Sequence, residues 1–92
     1  MTKWAQSLIR LSGYEVETLQ KRLAEITTRR AVIEMRIAVL DAEAAVERER
    51  CAADPETGVW WGAYHAGWTR RRDGAVVELD AVSAEESGAR DA

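Results

Sequence analysis

Apolar side chains recur through the first half of the chain in alternating steps of four and three. The stripe runs through Ala5, Ile9, Ser12, Val16, Leu19, Leu23, Ile26, Arg30, Ile33, Ile37, Leu40, Ala44, Glu47 and Cys51, and only Ser12, Arg30 and Glu47 interrupt it. A 3.5-residue repeat keeps an apolar seam facing a partner helix, so the pattern predicts a coiled coil. Gly13 is the only Gly or Pro before the segment Ala53-Asp54-Pro55-Glu56-Thr57-Gly58. A single Gly costs about 1 kcal/mol inside a helix and does not end it. Pro pushes the residue before it out of the α region, so the first helix is predicted over about residues 3–53. Asp54 is placed to cap the next helical segment, with Pro55 in its first turn, which puts a turn at about residues 54–58. A second helix, from about residue 59 to 88 or beyond, carries Trp61, Tyr64, Trp68, Ala75, Leu79 and Val82 along one stripe. That stripe weakens between Trp68 and Ala75, where Arg71 or Arg72 must stand in it.

Helices joined by a short turn run antiparallel, and a turn centred near residues 55 and 56 makes facing residue numbers total about 111. By that rule Arg70, Arg71 and Arg72 fall opposite Asp41 and Glu43, while Glu78, Asp80 and Glu85 fall opposite Arg29 and Arg30. Each charge block meets its complement, which selects register more than it adds stability, since an exposed pair contributes only about 0–1 kcal/mol. Glu17 with Lys21 and Glu25 with Arg29 add helix-stabilising pairs four residues apart. The rule also leaves Trp4, Leu8, Ile9, Leu11 and Val16 without a partner. The expectation is a fragment of a longer hairpin; the alternatives are that a second copy, associating through residues 4–18, or another protein covers the segment.

Composition narrows the function classes. The 92 residues carry 32% charged side chains, no Phe, one Pro and a formal charge of −3. This is the make-up of long helices in a single all-α domain, and it disfavours a general nucleic-acid binder. The lone Cys51 has no internal disulfide partner and reads as a small seam residue, which suits a reducing compartment. No signal-peptide pattern opens the sequence, and the longest uncharged run, Thr57 to Thr69, falls short of the about 20 residues a membrane span needs. The expected location is the cytoplasm. His65 has no second ligand at metal-binding spacing, and no nucleophile–base set or phosphate loop is present, so neither enzyme activity nor a cofactor is expected. Trp60, Trp61, Tyr64 and Trp68 crowd one short stretch. Trp61, Tyr64 and Trp68 are expected to fill the seam, while Trp60, one residue off the stripe, is the candidate partner contact.

The N-terminal half, Met1-Thr2-Lys3-Trp4-Ala5-Gln6-Ser7-Leu8-Ile9-Arg10-Leu11 with Tyr14-Glu15-Val16-Glu17 and Leu23-Ala24-Glu25, resembles the flagellar export protein FliJ family. Trp61-Gly62-Ala63-Tyr64 through Arg70-Arg71-Arg72 to Val82-Ser83-Ala84-Glu85-Glu86 is similar to the returning helix of its alphaproteobacterial members, whose second helix runs further than this one. The resemblance implies a long antiparallel two-helix coiled coil, like the stalk of a rotary ATPase, working in flagellar protein export and hence in motility. It implies contacts with the export ATPase hexamer, the cytoplasmic domain of the membrane export gate and export chaperones, at the inner membrane but without insertion into it. The implied gate contact lies toward the hairpin tip, with Leu40, Trp61 and Tyr64 as counterparts. Together with Trp60 and Trp68, these make up the candidate partner-binding set. The competing readings are a nucleic-acid-binding hairpin using Arg70 to Arg72, and a generic coiled-coil tether.

Overall fold

A computed structural model of the chain describes residues 2–91. Helix α1 spans Lys3–Ala53, a single turn of helix α2 spans Pro55–Gly58, and helix α3 spans Trp61–Asp91. α1 and α3 pack side by side into a rod measuring 80 × 16 × 13 Å. The fold is the all-α antiparallel two-helix coiled-coil hairpin that the heptad stripe predicts.

Burial follows the stripe from Leu23 onward. Ile26, Ile33 and Leu40, seven residues apart, are buried, with Leu23, Arg30, Ile37, Ala44, Glu47 and Cys51 half-buried between and beyond them. On α3 the buried set is Ala75, Val82 and Glu86, with Trp61, Tyr64, Trp68, Arg72, Leu79 and Ala89 half-buried along the same line. Ile26, Ile33 and Val82 form the central cluster, against which Ile37, Leu79 and Ala89 pack. Arg72, not Arg71, occupies the weak point of the second stripe. The line Tyr64–Trp68–Arg72 therefore takes two successive steps of four, a stutter that locally unwinds the supercoil.

The ion pairs fix the register, and it lies slightly beyond the expected one. Asp41 meets Arg72 at 2.8 Å, where a total near 111 would place Arg70. Arg36 meets Glu78, and Arg29 meets Glu85 at 2.7 Å. Arg30 takes Glu86 at 2.9 Å. The expected pairing of Glu78 with Arg29 or Arg30 is thus replaced by one with Arg36. Among the described residues Arg70, Arg71, Glu43 and Asp80 join no ion pair. The shift has a local cause: α2 inserts a helical turn into the bend, which moves the hairpin's centre to about residue 57.

Arg30 and Glu86 form a polar layer inside the seam. Glu86 is 6% exposed, and its carboxylate accepts from Arg30 Nη1 at 2.9 Å and from Thr27 Oγ1 at 3.4 Å. Arg90 stands 3.5 Å from the same carboxylate, and Arg30 also donates to Glu34 at 3.0 Å. A buried carboxylate without such partners would pay a large desolvation cost. Glu34 and Glu86 together hold the Arg30 guanidinium pKa above its ordinary value, the hydrogen bond to Glu34 contributing most.

Among the described residues, nothing of α3 covers the stripe upstream of Leu23. Trp4, Leu8, Ile9, Leu11 and Val16 are all exposed. Backbone hydrogen exchange should therefore be much faster across Leu8 to Val16 than across Ile26 to Leu40, since an uncovered helix is marginal in water. Equal protection of the two segments in a verified monomer would contradict this assignment. In the paired region, Ile33→Ala should cost about 3 kcal/mol of unfolding free energy, read from urea titrations followed by circular dichroism.

Candidate partner-binding tip

The tip is organised by Asp54. Its extended backbone stops α1, and its N–H donates to the Arg50 carbonyl at 3.1 Å. The same residue caps α2: Oδ1 accepts from the Glu56 N–H at 3.1 Å and Oδ2 from the Thr57 hydroxyl at 2.8 Å. These bonds, the Thr57 hydroxyl first, hold the Asp54 carboxyl below the usual carboxylate range. Pro55 occupies the start of α2, where its missing N–H costs nothing. α2 then folds back over the end of α1 so closely that a Cβ on Gly58 would sit 3.2 Å from the Cys51 carbonyl oxygen. Cys51, half-buried as a seam residue, donates its thiol to the Thr57 carbonyl at 3.7 Å.

The bend leaves Val59 and Trp60 standing outside the hairpin, 79% and 71% exposed. Trp60 is backbone-anchored, its N–H bonding to the Thr57 carbonyl at 3.1 Å while its own carbonyl accepts from Tyr64. Below it a ladder of rings descends α3. Trp61 stacks with Tyr64 at 5.8 Å and meets His65 at 5.6 Å; His65 stacks on Trp68 at 5.5 Å, and the Arg72 guanidinium lies 5.9 Å from the Trp68 ring centre. Trp68 is tied across the seam, its indole N–H donating to the Leu40 carbonyl at 2.7 Å. Leu40 itself is buried beneath the ladder.

The five sequence-predicted residues therefore occupy different layers. Trp60 projects outward, Trp61, Tyr64 and Trp68 are half-buried along the seam, and Leu40 supports them from α1. His65 is the residue that reading for metal spacing passes over; its signal is the spacing 61, 65, 68, which places three rings on one helical face. Among the described residues no group of three His, Cys, Asp or Glu side chains is placed to hold a metal ion. No described helix is long and apolar enough to cross a membrane.

Fold and tip define an α-helical hairpin protein, a two-helix rod with an exposed aromatic side chain at its bend. No family model matches the chain, and no solved structure matches it. All 92 residues align at 54% identity with the "Flagellar FliJ protein" of two strains of Caulobacter vibrioides, covering 66% of the length of each. The chain belongs to the FliJ family of flagellar proteins.

Two tip-side carboxylates give this architecture a pH dependence. Asp41 is held below the usual carboxylate range mainly by its hydrogen bond from Arg72, as Asp54 is by Thr57. A depressed folded-state pKa contributes stability that is present above the unfolded value, about 3.9, and is lost as pH falls through the folded value. The thermal midpoint should drop on acidification from about pH 5 to about pH 2, and less steeply in Asp41→Asn/Asp54→Asn, which keeps the cap but removes both titrations. Parallel slopes for parent and double variant would show that neither carboxylate contributes.

Proposed function

We propose that the chain acts as a non-enzymatic part of the flagellar protein export apparatus, a coiled-coil stalk between the export ATPase hexamer and the membrane export gate that also meets export chaperones. On this reading it works in the cytoplasm, held at the inner membrane only through the apparatus. The observation that carries the reading is the pairing of an 80 Å rod with an exposed, backbone-anchored Trp60 at its tip, in a chain 54% identical to flagellar FliJ proteins. A rod can bridge two bodies that do not touch, and a Trp on a rigid turn is the side chain best suited to anchor such a contact. Catalysis has no place in the reading, since a two-helix rod encloses no water-excluding cleft. The alternative use of Arg70 to Arg72 on nucleic acid is weakened because Arg72 is engaged by Asp41, and Asp73 follows directly.

Trp60→Ala should leave the thermal midpoint unchanged and weaken binding to the export-gate cytoplasmic domain by at least about 2 kcal/mol. Trp61→Ala, which removes a rung from the ring ladder, should lower the midpoint instead. Calorimetric titration against that domain, run beside thermal melts, separates the two roles. Parent-like binding by Trp60→Ala would sink the tip contact and leave the reading to the ATPase and chaperone contacts.

A further inference from the structure

The outward face of α1, opposite the seam, is bare of charge over four helical turns. Between Ala31 and Val46 the chain carries only Glu34, Arg36, Asp41 and Glu43 as charged residues. Three of them are drawn toward the hairpin side, Glu34 by Arg30, Arg36 by Glu78 and Asp41 by Arg72. What remains outward is apolar and regular. Ala24, Ala31, Ala38, Ala45 and Ala52 recur every seventh residue; Val32, Val39 and Val46 do the same on the adjacent line, with Met35 and Ala42 between the two lines. All of these are exposed, Met35 at 66% and Val39 at 48%.

The period decides what kind of partner fits. A helix surface facing solvent usually carries polar and charged side chains. An apolar face repeating every seven residues stays in line only for another helix that supercoils with it. The face also reads alike in both directions, which singles out the occupant. We propose that it is a second seam, occupied by the same face of a second copy of this chain, antiparallel about a two-fold axis between Ala38 and Val39. That axis sets Val39 opposite Val39 of the second copy, Val32 opposite Val46, Ala31 opposite Ala45, and Met35 over Ala42, large against small. The alanine line allows close approach of the two backbones. At the rim the axis brings Glu43 of one copy toward Arg36 of the other, twice, and each Arg36 would be shared between that Glu43 and its own Glu78. Glu43 is the one charged residue of this stretch with no ion pair within the hairpin, among the described residues. Two such faces bury on the order of 1,000 Å² together, near the lower bound for a specific interface, so the association is a weak, reversible one.

Single cysteines in a Cys51→Ser background test this arrangement. Under mild oxidation Val39→Cys should crosslink with itself, Val32→Cys alone should not, and an equal mixture of Val32→Cys and Val46→Cys should give the mixed dimer. Sedimentation of the parent chain should show the mass doubling at micromolar concentrations, and Ala38→Glu/Val39→Glu should stay monomeric with its circular dichroism unchanged. Self-crosslinking of all three single cysteines would mean a parallel pair and overturn the proposal. So would a monomer at every concentration, or a dimer that survives Ala38→Glu/Val39→Glu and is lost on Ile9→Glu, which would place the contact on the uncovered N-terminal stripe.

Discussion

Ile26, Ile33 and Leu40 meeting Ala75 and Val82 across one narrow seam is the contact that every other feature of the hairpin requires. Two helices can cover only one side of each other, so the apolar area removed from water is small. At about 25 cal/mol per Å² such a seam holds the helices together with little margin over the entropy of ordering them. A thin apolar seam also tolerates sliding, because every seventh residue offers a similar fit. The ion pairs along its flanks and the Arg30–Glu86 layer within it resolve that ambiguity. A slip of one heptad would take the buried Glu86 carboxylate away from Arg30 and Thr27 and leave it only Arg90 of its own helix at 3.5 Å, a larger penalty than the loss of an exposed pair. The charged residues thus select among alignments that the apolar residues alone would leave close in energy.

The tip closes the seam at its other end. Asp54 ends one helix with its extended backbone and begins the next with its side chain, so no loop separates α1 from α2. The extra turn of α2 offsets the returning helix, carries Trp60 clear of the seam and leaves Trp61 pointing into it. The rung structure beneath, from Trp61 through His65 to Trp68 and Arg72, then ties the tip to α1 through the Leu40 carbonyl. Order at the tip thus comes from hydrogen bonds and ring stacking rather than from apolar depth.

How much of this could be read from the chain depended on whether a feature is periodic. The seam from Leu23 to Cys51 and the uncovered stripe before it are periodic, and both were legible. The outward position of Trp60 was legible for the same reason, being one residue off the stripe. The register was displaced because the pattern shows that a bend occurs but not that Pro55 to Gly58 form a helical turn within it. Glu86 escaped notice because it lies among small and polar residues where a carboxylate is normally solvated, and its burial is set by Arg30 from a distant part of the chain. His65 escaped because a histidine is first weighed as a ligand, whereas here it serves as a flat ring between two others.

The double step of four through Tyr64, Trp68 and Arg72 gives the rod an uneven mechanical character. Elsewhere the strict repeat couples the helices into one left-handed rope, in which winding at any point is shared along the length. At the stutter α3 departs from the repeat while α1 keeps it, and the contact there is made by stacked rings and a guanidinium rather than by interlocked aliphatic knobs. The step therefore joins two kinds of packing in one continuous helix, stacked rings toward the tip and the interlocked Ile26–Val82 cluster along the shaft.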